Sequence, residues 1–184
     1  MKRLVLGVSG ASGAPYAHRL LTYLASRDDV ETDVVFTKTA RVVWSHEVDV
    51  PLDSLGLRIY GPMDMTAPFA SGSSRYDGMA IVPCSAGAMG RIANGISADL
   101  VGRAADVMLK ERRPLVLCLR EAPYSLIHVR NMERLLVAGA RILPASPNFY
   151  SGPQTVQDLL DTVVGRVLDQ LGIENDLLTR WSGL

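Results

Sequence analysis

The chain has 184 residues, of which 48% are apolar, and its 19 basic and 19 acidic residues give a formal net charge of zero. This length suffices for one α/β domain with a complete core, and the lack of a basic excess argues against nucleic acid as a partner. No apolar run reaches the roughly 18–20 residues of a membrane span, and the first ten residues resemble a strand more than a signal peptide, so we expect a cytoplasmic protein.

Six short apolar runs, rich in β-branched residues, predict the strands of the chain. They lie at residues 3–8, 32–36, 57–60, 79–82, 115–119 and 141–143, and helical patterns fall between most of them. A chain that alternates strand with helix forms a mostly parallel sheet covered by helices on both faces. The pattern therefore predicts an α/β fold, in which residues 1–184 form a single three-layer α/β/α domain.

The first and last helices carry the clearest patterns. Residues 14–26 place apolar side chains on one face, and a second amphipathic pattern begins with the Pro-Gln pair at 153–154. Residues 61–77 form one long irregular stretch, and such a loop in a compact domain is more often functional than idle. Cys84 and Cys118 lie in or beside apolar runs, which predicts buried free thiols.

Small residues follow two of the predicted strands, at the sheet edge where open α/β sheets bind ligands. Residues 9–13 are SGASG and residues 84–90 are CSAGAMG, and each turn leads into a helix. Because N–H groups at a helix start bind anions, these turns with the hydroxyl of Thr37 and the charge of Arg120 indicate a mononucleotide site. Tight turns that simply need small residues are the alternative, since GASG matches neither the dinucleotide fingerprint nor the P-loop.

Longer motifs carry a family resemblance. The segments GVSGASGA, VPCSAGAMGRIANGISADLVGRAADVMLKERRPLVL, REAPYSLIH and PNFYSGPQTVQDLLD occur in this order. Together they resemble the UbiX family of flavin prenyltransferases over nearly the whole chain. The resemblance implies a Rossmann/flavodoxin-like fold and transfer of a dimethylallyl group from dimethylallyl monophosphate to N5 and C6 of reduced FMN. It also implies that prenylated FMN passes to a UbiD-type decarboxylase and that the chain forms homododecamers built from trimers.

The resemblance assigns FMN binding to both small-residue turns and to two residues beyond them. Thr37 and Arg120 are expected to bind the FMN phosphate, the turns to admit the ring and ribityl chain, and Ser12 to hydrogen-bond near flavin N5. The full expected set is Gly10, Ala11, Ser12, Thr37, Ser85, Ala86, Gly87, Ala88 and Arg120.

The resemblance also assigns the phosphate of the prenyl donor to Arg103, Lys110, Tyr150 and Arg166. Arg103 and Lys110 are two helical turns apart, so they share a face. The Asp-Asp pair at 28–29 lacks the next acid of a metal-binding DDxxD pattern, so no metal is expected and protein groups must meet the charge. Without the resemblance, the basic residues would be assigned to solvated helix faces and Tyr150 to packing.

Proton transfer is expected to use Glu47 and Glu121, which match the two active-site glutamates of the family, with Ser12 and Lys110 as further catalytic residues. Each glutamate has a simpler alternative. Glu47 would be a solvated acid at a helix end, and Glu121 would pair with Arg120 or cap the following turn.

Aromatic faces stabilise an allyl group with cationic character. The family often has a tryptophan in the loop where this chain has Met65, which keeps an apolar contact without an aromatic face. Tyr150 and Trp181 are therefore the aromatic candidates.

Other functions share some of these features. FMN-dependent cysteine decarboxylases of the same superfamily carry a PASANT-like or PxMNxxMW-like segment, where this chain has PASPNFYSGPQ. A non-catalytic FMN carrier would need the two turns but not Lys110, Tyr150 and Arg166. An aromatic-acid decarboxylase acting alone has no sequence feature that separates it. Cations on distant helices suggest that neighbouring copies share sites.

Overall fold

A fully parallel six-stranded sheet forms the centre of the protein in a computed structural model, which describes residues 1–181 and 183. The strands are β1 (Lys2–Val8), β2 (Val30–Phe36), β3 (Arg58–Tyr60), β4 (Gly78–Cys84), β5 (Leu115–Leu119) and β6 (Arg141–Pro144). Their order is β3-β2-β1-β4-β5-β6, and every neighbouring pair is parallel. The predicted strands and the parallel sheet are confirmed, and the order is that of a Rossmann-type sheet.

Helices connect the strands and cover both faces of the sheet. They are α1 (Ala14–Ala25), α2 (Lys38–Glu47), α3 (Ala86–Ala93), α4 (Leu100–Lys110), α5 (Leu126–Val137) and α6 (Val156–Leu171). Single turns of 3-10 helix lie at Leu52–Leu55 and Pro68–Ala70. None of the helices in the described part of the chain combines the length and apolar character needed to cross a membrane.

Each face of the sheet has its own hydrophobic core. Leu4 and Leu6 of β1 point into the core formed with α1, α2 and α6, whereas Val5 points into the core formed with α3, α4 and part of α5. Because both faces are covered, successive residues are apolar over residues 4–8 of β1 and throughout β4 and β5. This burial explains why the strands stand out in the sequence as continuous apolar runs.

The last helix begins later than the sequence pattern predicts. Thr155 is its N-cap: the Thr155 side chain accepts the N–H of Asp158 at 3.1 Å, and the Asp158 carboxylate accepts the N–H of Thr155 at 3.0 Å. This reciprocal capping box satisfies two N–H groups at the helix start. Pro153 therefore lies before the cap, and the prediction that it opens the helix is wrong.

The irregular stretch at residues 61–77 is confirmed, with only the 3-10 turn at Pro68–Ala70 within it. Its aromatic residues are buried. Phe69 packs edge-on against Tyr60 and Tyr76, with ring centroids 5.0 and 5.8 Å apart. The stretch is thereby anchored in the second core and covers one face of α4.

Candidate active site

The turns after β1 and β4 meet where the strand order changes direction. β1 and β4 are neighbours whose connections leave toward opposite edges of the sheet, which opens the crevice where such sheets bind ligands. Ser9 joins the two turns, because its Oγ donates to the Pro83 carbonyl at 2.9 Å and accepts the Ser85 N–H at 2.8 Å. The two small-residue turns predicted to bind one ligand are thus brought together.

A cavity of about 300 Å³ lies at this crevice, with Thr37 and Ser85 in its wall. Thr37 caps α2 by accepting the N–H of Ala40 at 3.1 Å, and Ser85 caps α3 by accepting the N–H of Ala88 at 3.2 Å. Each cap uses one N–H group of its helix, so the N–H groups before it are available to a ligand. The crevice cavity therefore presents two helix N-termini to one occupant.

Gly10 allows the first turn to approach α2 closely. A Cβ atom at this position would lie 2.5 Å from Cγ2 of Thr39, which leaves no room for any side chain. In the same turn Ala11 is buried and Ser12 is exposed, and in the second turn Ala86 is buried. Gly10 and the small residues Ser9 and Ser85 contribute to the wall of the crevice cavity beside the larger side chains of Lys38 and Arg91.

Glu47, the last residue of α2, occupies the N-terminus of α1. Its Oε2 accepts the N–H groups of Gly13 at 2.7 Å and Ala14 at 2.8 Å. Burial would raise the pKa of Glu47, but hydrogen bonds from Ser12 and from the two N–H groups, with the charge of Arg120, hold it below its ordinary value. The N-terminus of α1 thus binds the chain's own carboxylate.

Arg120 and Glu121 follow β5. Arg120 lies three strands from Thr37 in the sheet, which at roughly 4.8 Å per strand separates their strand ends by about 14 Å. Arg120 lies near Glu47 and not near Thr37. If Thr37 and Arg120 bound one phosphate together, their side chains would have to lie side by side. Glu121 closes the next turn, since its Oε1 accepts the N–H of Ala122 at 3.1 Å.

A larger cavity, of about 620 Å³, lies between β6, α6 and the segment that follows α6. Its wall includes Tyr150 and Arg166, which the resemblance assigns to the prenyl donor, and we therefore call it the donor cavity. Trp181, Arg141 and Arg180 also line it. The rings of Tyr150 and Trp181 pack edge-on with centroids 5.7 Å apart. Guanidinium groups beside an aromatic pair suit a phosphate ester with an apolar chain.

Arg103 and Lys110 share a face of α4, as predicted, but that face contacts the irregular stretch between β3 and β4. Arg103 Nε donates to the Ala70 carbonyl at 2.9 Å, and Lys110 pairs with Glu111 beside Gly72. Neither residue lines the donor cavity. One protomer therefore does not bring all four predicted phosphate ligands together.

Known proteins resemble this chain over its full length. The Flavoprotein family matches residues 1–168. Flavin prenyltransferase UbiX of Pseudomonas aeruginosa is 45% identical over an alignment that covers 98% of this chain and 94% of the relative. The chain belongs to the flavin prenyltransferase family. The resemblance inferred from the motifs is confirmed.

Solved structures of similar proteins share the fold of this flavin prenyltransferase family member. A dodecameric FMN-dependent UbiX-like decarboxylase from Escherichia coli O157:H7 has a TM-score of 0.95 and 42% identity, covering 98% of this chain and 100% of that chain. AnUbiX (PadA1), solved with FMN and dimethylallyl pyrophosphate, has a TM-score of 0.94 and 42% identity, covering 100% and 98%. The cysteine decarboxylase TvaF is 18% identical with a TM-score of 0.65, so it shares the fold alone.

Sequence reasoning missed Asp169 and Arg180. Arg180 lines the donor cavity and forms a bidentate pair with Asp169, at 2.7 and 2.8 Å. Asp169 also accepts from Arg166 at 3.0 Å. The spacing of three residues between Arg166 and Asp169 on a predicted helix was the available signal.

Proposed function

We propose that this protein transfers a dimethylallyl group from dimethylallyl monophosphate to N5 and C6 of reduced FMN, without a metal ion. The donor's C–O bond breaks as a bond to N5 forms, and the N5 proton leaves with phosphate. The donor's C=C bond then takes up a proton at one carbon while its other carbon bonds to C6, and C6 loses its proton as the ring regains aromaticity. The observation that carries the proposal is the donor cavity, in which Arg166 and Tyr150 lie beside Trp181. Membership of the flavin prenyltransferase family supports the same reaction.

The crevice cavity suits FMN. The backbone N–H groups of the two turns and the Thr37 hydroxyl would hold the phosphate and ribityl chain. Arg120, near Ser12 and Glu47, would contact the ring end. When bound, reduced FMN supplies the nucleophilic N5 and C6 atoms.

Ser12 and Glu47 would accept a proton from the substrate. The Ser12 hydroxyl lies close enough to the Glu47 carboxylate to lower its pKa, and it would accept a proton from a bound substrate while passing its own to Glu47. Because the pKa of Glu47 is low, the carboxylate is ionised at neutral pH and ready for this role. We assign the second proton transfer to Glu121.

Arg166 and Tyr150 would bind the donor phosphate and stabilise the charge that grows on it as the C–O bond breaks. The rings of Tyr150 and Trp181 would face the allyl group as it gains cationic character. Met65 is 42% exposed in the irregular stretch and offers no aromatic face, so this pair must supply that stabilisation.

We also propose that the site is completed between neighbouring copies in a homododecamer built from trimers. Two observations support this: Arg103 and Lys110 lie on a different surface from Arg166 and Tyr150, and a relative with 42% identity is dodecameric.

The product would pass to a UbiD-type decarboxylase. The two cysteines are free and buried, which fits the reducing cytoplasm.

The mass of the flavin tests this function. After anaerobic incubation with reduced FMN and dimethylallyl monophosphate, the extracted flavin should gain one C5H8 unit and one equivalent of phosphate should appear. The reaction without donor is the control, and dimethylallyl diphosphate should be compared because a relative was solved with it. Unchanged FMN with either donor would refute the proposal.

Two rival functions make different predictions in the same assay. A flavin carrier would bind FMN and react with neither donor, and it has no use for the cations of the donor cavity. An FMN-dependent decarboxylase would release carbon dioxide from an acid substrate without a partner enzyme. The solved cysteine decarboxylase shares only the fold with this chain.

A further inference from the structure

The segment after α6 turns back along that helix and is held by one carboxylate. Arg180 donates two hydrogen bonds to Asp169, from Nη1 to Oδ2 at 2.7 Å and from Nη2 to Oδ1 at 2.8 Å. Arg166 donates to Oδ2 at 3.0 Å and Asn175 to Oδ1 at 3.0 Å. Asp169 is thus the common acceptor of three side chains, two of them in the wall of the donor cavity.

Close packing independently fixes the returning segment on α6. A Cβ atom at Gly165 would overlap the side chain of Leu178, so the segment can lie this near the helix only because position 165 has no side chain. Asn175 also donates to the carbonyl of Gly165 at 3.3 Å. The segment therefore has a defined seat on α6.

The position of Arg180 decides where Trp181 lies. Trp181 is the next residue, and its ring packs edge-on against Tyr150 in the wall of the donor cavity. Fork-shaped guanidinium groups that bind a carboxylate through two bonds have a fixed orientation. The hydrogen bonds to Asp169 therefore fix the orientation of Arg166 and, through Arg180, the position of the Trp181 ring against Tyr150.

The charges in this cluster leave the cavity cationic. Arg166 and Arg180 carry two positive charges against the single negative charge of Asp169, and Arg141 in the same wall bonds to the Gln170 carbonyl. The hydrogen bonds from Arg180 are the largest cause that holds the pKa of Asp169 below its ordinary value, so the carboxylate stays ionised. An anion in the cavity still meets a net positive wall.

We propose that Asp169 is a positioning residue of the donor site, which orients Arg166 directly and Trp181 through Arg180 without touching the donor. The kinetic part of this inference rests on the proposed function, whereas the seating of the returning segment does not. Loss of the carboxylate should release the end of the segment beyond Leu178, which packing still holds on α6, and disorder one side of the donor cavity.

Asp169→Asn tests the inference, with Asp161→Asn as the matched control. Asp161 lies on the same helix, pairs with Arg19, and has a side chain 18% exposed against 16% for Asp169. Trypsin cleavage of the native protein after Arg180, followed by mass spectrometry, reports release of the segment. Cleavage should be at least about tenfold faster in Asp169→Asn and within twofold of wild type in Asp161→Asn. The reason is that Asp169, and not Asp161, accepts charge-assisted hydrogen bonds from Arg180 of the segment.

The kinetic arm uses the FMN-loaded protein. Asp169→Asn should raise the apparent KM for dimethylallyl monophosphate by roughly fivefold or more while FMN stays bound, because Arg166 loses its orientation. Arg180→Lys, which keeps the charge and the trypsin site but not the bidentate geometry, should show the same two effects more weakly. Because the Arg180 side chain is exposed, we expect the Arg180→Lys variant to fold like the wild type.

The measured outcomes distinguish failure of the positioning role from failure of the proposed function. Unchanged cleavage in Asp169→Asn, or faster cleavage with an unchanged KM, overturns the positioning role. If the wild-type protein prenylates no flavin, the proposed function fails, and calorimetric binding of inorganic phosphate replaces the kinetic arm. Weaker phosphate binding by Asp169→Asn, but not by Asp161→Asn, would then support the inference, and equal binding would overturn it.

Discussion

Replacing Glu47 by Gln separates proton transfer from helix capping, because this side chain performs both tasks. A single oxygen, Oε2, accepts the two N–H groups at the start of α1, at 2.7 and 2.8 Å. The amide oxygen of Gln has two lone pairs and can accept the same two groups, so the variant keeps the contacts and loses the charge. That charge at a helix N-terminus contributes about 0.3–2 kcal/mol, so Glu47→Gln should stay folded and retain FMN.

Prenylation by Glu47→Gln should nevertheless slow by roughly 10²–10⁴-fold, the usual contribution of a positioned proton acceptor. Single-turnover spectra of reduced FMN mixed with dimethylallyl monophosphate measure this rate directly. Glu133→Gln, an exposed acid on α5 outside both cavities, is the control and should react at the wild-type rate. A Glu47→Gln rate within about threefold of wild type, equivalent to about 0.65 kcal/mol, would remove Glu47 from proton transfer.

The same carboxylate links stability to pH. The pKa of Glu47 is lowered in the folded protein, so its contribution is present above the unfolded value of about 4.3 and is lost as pH falls through the folded value. Thermal unfolding midpoints of wild type and Glu47→Gln should therefore differ at pH 7 and converge in acid. Glu47→Ala leaves two N–H groups without an acceptor and should cost about 2–4 kcal/mol at pH 7, and less in acid, where the wild-type side chain has lost its charge. A pH-independent gap between wild type and Glu47→Gln would contradict this reasoning.

Three further predictions concern binding and burial. Acid extraction of the purified protein should yield FMN, and recovery of FAD or NAD would mean that the crevice cavity is misassigned. Tyr150→Phe and Arg166→Gln should raise the apparent KM for dimethylallyl monophosphate and lower turnover while FMN remains bound, and loss of flavin would assign these residues to the cofactor or the fold. Burial raises the pKa of Cys84 and of Cys118 to about 12, so a thiol reagent should label neither until the protein is unfolded, and rapid labelling of the native protein would contradict their burial.

The chain's local patterns determined the fold almost completely. The strands at β1, β4 and β5 could be predicted because both faces of the sheet are covered, so residues 4–8 of β1 and the lengths of β4 and β5 are apolar. Placing the two small-residue turns together required only the rule that the carboxyl ends of parallel strands share one sheet edge. Family motifs then pointed to Tyr150 and Arg166, and the need for an aromatic face pointed to Trp181; these three residues do meet in one cavity.

Tertiary structure alone decided which partners these side chains have. Glu47 lies 33 residues from Ala14, yet its carboxylate caps α1 and fills the anion site that the first turn suggested. Arg103 and Lys110 share a helix face as their spacing predicts, but spacing does not reveal that this face meets the irregular stretch. Periodicity determines which side chains share a face, whereas the opposing surface depends on how distant elements pack. For that reason the sequence predicted the reaction class, whereas the tertiary structure was needed to show which groups bind Glu47, Arg103 and Arg180.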